Sequence, residues 1–242
     1  LCRKNRWGKK LEGGKWVDII LFADNYWLVA VNPKMLENMT VAWLDLLAEY
    51  GWETPTEELT WCTTRSDDVE MKIEINNQTA LRAKAAVGFK VLGTQLTFDN
   101  NYEVELESRL TKADKAFWAN WGLLGCISVP LEKRLAIFTS AVNATMLWCA
   151  GTWNLTRAQN EKIRVRQMRL IRRMLRLKRR EGELMGDFLH RANGILKRKV
   201  NSFGTVFETW DIRATQLRFE WGGHVARMRT NDPERLTYHV LK

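Results

Sequence analysis

Trp16-Val17-Asp18-Ile19-Ile20-Leu21-Phe22-Ala23-Asp24-Asn25-Tyr26-Trp27-Leu28-Val29-Ala30 is the stretch that decides how this chain reads. One apolar run climbs to a carboxylate, and a second apolar run returns. The pattern predicts two strands joined by a tight turn, because Asp and Asn tolerate the left-handed backbone such turns use. Asp24 and Asn25 then stand at a hairpin apex. An ordinary structural hairpin has the same pattern, so the surrounding sequence must decide what the apex does.

Outward from the hairpin, Asn32-Pro33 predicts a helix start, with Asn as cap and Pro in the first turn. Leu36, Met39, Trp43, Leu46 and Tyr50 follow at helical spacing, and Gly51 suits a left-handed stop. Leu59–Thr64 and Val69–Ile75 read as strands, and Gly88–Thr97 as a strand pair with a glycine bend. From about residue 102 the spacing turns helical. Leu106, Leu110, Ala113, Phe117, Trp121 and Leu124 recur every three or four residues. Further helices are expected from Ser128-Val129-Pro130 through Cys149, from Thr156 to Arg180, from Leu184 to Val200 and from Thr205 to Met228. Gly222-Gly223 predicts a break in the last, since two glycines weaken a helix by about 2 kcal/mol. The expected fold is α+β, with residues 1–100 strand-rich and residues 101–242 helical.

Charge changes sign at the same place. Residues 1–100 carry 12 Lys/Arg against 14 Asp/Glu, and residues 101–242 carry 26 against 14, within a net charge of +10. A basic second part predicts a polyanionic partner. No apolar run spans a bilayer and no secretory pattern opens the chain, so the expectation is an intracellular protein, nuclear or cytoplasmic, with no membrane partner. Cys2, Cys62, Cys126 and Cys149 are scattered without zinc-site spacing and read as buried small residues. His190, His224 and His239 are too far apart to suggest a metal site. The chain opens in a basic segment without an initiator Met, which reads as a mid-protein start.

Four segments, in order, carry a family resemblance. They are Phe22-Ala23-Asp24-Asn25, the helix Pro33–Tyr50 with Gly51, Phe89-Lys90-Val91-Leu92-Gly93-Thr94, and the stretches Leu147–Leu155 and Gln167–Leu175 with Lys133. Trp221-Gly222-Gly223-His224-Val225-Ala226-Arg227-Met228 adds a fifth. Together they resemble the carboxy-terminal part of a non-LTR retrotransposon reverse transcriptase: catalytic hairpin, palm helix, primer grip and the thumb-like helices beyond. The resemblance covers roughly residues 14–230. It implies a partial palm sheet at residues 1–100, RNA template and DNA primer or target as partners, and Mg²⁺ as cofactor of the intact parent protein. It also implies an upstream fingers and palm segment of the same polyprotein. Two positions depart from the family pattern. Asn25 stands where a second Asp is usual, and Trp52–Glu58 lacks the customary Lys.

Nucleotidyl transfer uses two divalent ions held by carboxylates and phosphates. Asp24 supplies one carboxylate, and Asn25 a neutral carbonyl oxygen. The resemblance places the other carboxylate in an earlier strand, so the chain alone is expected to be inactive. Gly93 is expected to allow a close backbone approach to nucleic acid, with Lys90 on a phosphate. On the helix expected to end at Arg180, Lys162, Arg166, Arg169, Arg173, Arg176 and Arg180 fall in one stripe at 100° per residue. No acid interrupts this stripe, which predicts contact with nucleic-acid phosphates. Two other readings stand beside the polymerase: a non-catalytic nucleic-acid-binding remnant, and an unrelated basic helical interaction protein.

Overall fold

The computed structural model describes residues 7–11, 16–64, 70–84, 88–97, 101–201 and 208–228. Cys2, His239, the expected strand start at Val69 and the expected helix start at Thr205 lie outside the described residues. The chain forms two compact units, residues 1–90 with 97–100, and residues 91–96 with 101–242.

In the first unit, β1 (Lys9–Lys10) pairs antiparallel with β2 (Trp16–Val17). β3 (Ile19–Phe22) pairs antiparallel with β4 (Asn25–Leu28), Phe22 opposite Asn25 and Ile19 opposite Leu28. The hairpin loop is therefore Ala23-Asp24. Helix α1 (Pro33–Glu49) follows. The Asn32 side chain accepts from Met35 N–H at 2.8 Å, which satisfies one of the donors a helix start leaves free. At the far end Gly51 N–H reaches Ala48 O at 2.9 Å and Trp52 N–H reaches Leu47 O at 3.0 Å. That is a Schellman closure, and Gly51 supplies its left-handed residue at φ +76°.

β5 (Thr60–Trp61), β6 (Glu74–Ile75), β7 (Gln78–Thr79) and β8 (Leu81–Arg82) come next, with β6 antiparallel to β7 and β5 parallel to β8. Trp61, Ile73, Ile75 and Ala80 form a small core against Leu36, Val41 and Leu44 of α1. β9 (Phe89–Val91) and β10 (Thr94–Leu96) pair across the turn Leu92-Gly93. Among the described residues every sheet has two strands. Asn76-Asn77 and Leu92-Gly93, all with positive φ, reverse the chain before longer strands develop. The fold is mixed α and β, and mainly helical.

The second unit is a helical bundle. α2 (Glu103–Ala119) is followed by the short α3 (Trp121–Leu124). α4 (Leu131–Ile137) runs through a π-helical turn, Phe138–Asn143, into α5 (Ala144–Met146). α6 (Arg157–Met174), α7 (Met185–Asn201) and α8 (Trp210–Arg227) complete it. Leu106, Leu110, Phe117, Phe138, Val142, Met146, Ile163, Ile171, Met174 and Trp210 are buried together. Arg134 at the start of α4 donates to Met174 O at 3.0 Å, near the end of α6. Tyr102 donates to Thr152 O at 3.2 Å, at the start of α2. The chain thus runs along α2, returns through α4 and α5, and runs forward again in α6, which lies parallel to α2.

Gln167 fixes the last helix. Its buried side chain accepts from Trp210 N–H at 2.7 Å, and Trp210 Nε1–H donates to Asn143 Oδ1 at 2.7 Å. α8 continues through Gly222-Gly223 to Arg227, so the break expected there is absent. Packing outweighs the propensity cost: Val225 is buried, the Trp221 and His224 rings meet tilted at 5.6 Å, and Gly151 packs against Leu217 O and Trp221 Cβ.

Candidate nucleic-acid interface

Asp24 stands at the hairpin apex and is exposed. The left-handed residue of the turn is Ala23, at φ +52°, and neither Asp24 nor Asn25 has positive φ. A left-handed non-glycine residue costs about 1 kcal/mol, so the β3–β4 ladder holds this turn against local preference. Asn25 Nδ2–H donates to Asp24 Oδ1 at 2.9 Å. Asn25 therefore orients the Asp24 carboxylate and adds no charge beside it. Ile20, Leu21 and Phe22 lead to this apex half-exposed.

The fit to Mg²⁺ can be tested on these side chains. Asp18 Oδ1 accepts from Ile19 N–H at the opposite end of β3. Among the described residues no three His, Cys, Asp or Glu side chains converge on a possible metal position. Asp24 supplies a single carboxylate at the apex.

Lys90 is exposed on β9. Gly93 has φ +81°, and a Cβ placed there would meet nothing closer than Trp148 Nε1 at 3.8 Å. Backbone conformation accounts for this glycine; close approach of another chain is not required. Its carbonyl is already engaged, taking Arg109 Nη2–H at 2.6 Å and Lys112 at 3.4 Å. Leu92, also left-handed at φ +46°, has its carbonyl on Trp148 Nε1–H at 3.2 Å. Beneath the turn, Arg109 Nε is 2.5 Å from Glu105 Oε1, and both side chains are buried. Glu105 Oε2 accepts from Gln95 N–H at 2.7 Å. The turn is thus clamped onto α2 by a buried ion pair and an indole.

The six-cation stripe is corrected in two respects. First, α6 ends at Met174. Arg176 takes the left-handed residue of its closure at φ +55°, with Leu177 N–H on Arg172 O at 3.0 Å. Arg176 and Arg180 therefore leave the helical stripe. Arg176 Nε–H turns inward to Gly125 O at 3.0 Å, and Arg180 N–H donates to Glu183. Second, acids do face the stripe, and they come from α2. Lys162 is ion-paired with Glu103 and Glu107, and Arg166 Nη1 lies 2.9 Å from Asp114 Oδ2. The Lys162 hydrogen bond, helped by Gln159, holds the Glu103 carboxyl below its ordinary range, and Glu103 and Glu107 together raise Lys162.

Two stripe cations are left on a different footing. Arg169 is exposed. Arg173 lies over the Trp118 ring, 5.1 Å from its centroid. Asp114, Trp118, Arg166, Arg169, Leu170 and Arg173 line a shallow cleft open to solvent. Sequence reading found the basic wall and missed Asp114 and Trp118. A signal for them existed: Glu103, Glu107, Asp114 and Trp118 fall within about 60° on α2 at 100° per residue. Acids at that spacing mark the face that meets a basic helix.

Other expected features resolve simply. His224 is exposed beside Trp221. Cys149 is exposed rather than buried, because it takes a left-handed turn at φ +59° before the 3₁₀ turn Ala150–Thr152. Burial pushes the Cys62 thiol up to about 11. No helix among the described residues is long and apolar enough to cross a membrane. Comparisons with protein-family models, curated proteins and solved structures return no match to this chain.

Proposed function

We propose that this chain is the catalytic-hairpin and thumb-like part of an RNA-directed DNA polymerase of the non-LTR retrotransposon type. Its partners in this reading are an RNA template and a DNA primer or target. The observation that carries the proposal is Asp24, a lone exposed carboxylate at the apex of a two-residue hairpin loop, followed by the capped helix α1. The cleft cations Arg169 and Arg173 supply a place for nucleic-acid phosphates. In the parent polypeptide, Mg²⁺ would take Asp24 together with carboxylates that the resemblance assigns to a preceding palm segment.

One observation favours a second reading, a non-catalytic nucleic-acid-binding remnant: Asn25 occupies the second-carboxylate position and is spent on Asp24. Primed RNA template offered to the purified chain with Mg²⁺ and deoxynucleotides tests what the two readings share. Both expect salt-sensitive binding without extension. Extension by the chain alone would overturn the incomplete-site account, and absence of binding would overturn both readings.

A further inference from the structure

Trp118 is the residue of the cleft that a phosphate contact leaves unexplained. It sits near the end of α2 and is 46% exposed. Its ring is held in place from several sides. Arg173 lies over it at 5.1 Å, the Trp121 ring is 5.3 Å away at 53°, and the Phe117 ring meets it edge-on at 5.4 Å. Buried Phe117 and Leu170 tie this aromatic corner to the bundle core. The indole is therefore pre-positioned while half of it faces water.

The charges beside it have a definite sign. Arg166, Arg169 and Arg173 bring three positive charges to the cleft, and Asp114 removes one by pairing with Arg166. A fixed aromatic surface next to surplus positive charge matches the two faces of a nucleotide, a flat base and an anionic phosphate. A duplex keeps its base faces stacked internally, whereas an unpaired nucleotide presents one. We propose that this cleft is a single-strand subsite that takes one unpaired nucleotide, its base against Trp118 and its phosphate on Arg169.

The inference rests on the reading that the helical unit touches nucleic acid, and adds to it the form of the ligand. Base–indole stacking tolerates any sequence, because every base has a π face. Phosphate contacts also carry no base information. The subsite thus selects single strand over duplex and does not select among bases.

The test uses the full 242-residue chain and two probes of equal length. One is an oligothymidylate and the other is an abasic deoxyribose-phosphate strand, so phosphates match and only bases differ. Fluorescence anisotropy should show the oligothymidylate bound about 5- to 150-fold more tightly, the range that one stacked base contributes. Trp118→Leu should collapse that difference. Trp118→Phe should keep part of it. Equal binding of the two strands by the unchanged chain overturns the stacking subsite and leaves phosphate binding intact. So does a difference that survives Trp118→Leu. Failure to bind either strand, or duplex, overturns the nucleic-acid reading itself and this inference with it. The comparison of the two strands needs no substitution, so it can refute the subsite even where Trp118→Leu does not fold, and the partial loss in Trp118→Phe then locates the stack.

Discussion

Arg169→Gln with Arg173→Gln should flatten the salt dependence of nucleic-acid binding, and Lys162→Gln with Arg166→Gln should not. Sequence spacing puts all four cations in one stripe, and the structure divides them. Arg166 lines the open cleft with Arg169 and Arg173, but it is committed to Asp114, as Lys162 is to Glu103 and Glu107 on α2. Each phosphate contact on duplex contributes about 0.9 to the slope of log affinity against log salt. Two contacts give about 1.8, so between about 50 and 200 mM salt the unchanged chain should lose about 12-fold more affinity than the Arg169/Arg173 double variant. The Lys162/Arg166 variant should move the slope by less than one contact. It should lower the unfolding midpoint instead, since partly exposed pairs contribute about 0.2–1 kcal/mol each. Anisotropy titrations at four or more salt concentrations measure the slopes, and circular dichroism establishes that both variants fold. Equal slope changes in two folded variants would refute the division of the stripe.

The buried Glu105–Arg109 pair should be costly to break: Glu105→Ala leaves a buried guanidinium without its carboxylate and Gln95 N–H without that acceptor, and should cost about 3–5 kcal/mol. Thermal unfolding checks this, at about 2–4 °C per kcal/mol for a chain of this size. Glu183 accepts Arg191 Nε–H at 2.7 Å and Nη2–H at 2.8 Å, and these bonds with Arg180 N–H hold its carboxyl down at about 2, from an ordinary 4.5. A carboxylate depressed in the folded state stabilises above its ordinary value and loses that contribution as pH falls through about 2. The midpoint gap between the unchanged chain and Glu183→Gln should therefore be full at neutral pH and close between pH 4.5 and about 2; a gap independent of pH would contradict the assignment.

What was legible in the sequence is what local chemistry encodes. Asn32, Pro33 and Gly51 bound α1 because caps act within four residues, and Phe22 opposite Asn25 follows from one apolar run turning onto another. The partners of the basic stripe were harder to read, because Lys162 and Arg166 meet acids 52 to 59 residues away in sequence. The end of α6 carries no glycine or proline signal, since Arg176 itself adopts the left-handed closure and is held there by Gly125 O. Gly222-Gly223 misled for the converse reason. Propensity argued for a break, and packing of α8 on the Ala150–Thr152 turn overrode it. Trp118 does not stand out in the sequence, because an exposed ring acquires meaning from the arginine that approaches it through space.

The central claim is that Asp24 is a polymerase carboxylate and not simply a turn residue. It is tested most directly by deoxynucleotide incorporation on a primed RNA template by the full-length polypeptide that carries this chain. Asp24→Asn should reduce incorporation by about 100-fold or more, because it removes an anionic ligand where charge must be stabilised, while template binding stays unchanged. Asn25→Asp should keep or raise activity by adding a carboxylate beside it. Incorporation by Asp24→Asn equal to that of the unmodified polypeptide would contradict the account and return Phe22–Asn25 to an ordinary hairpin.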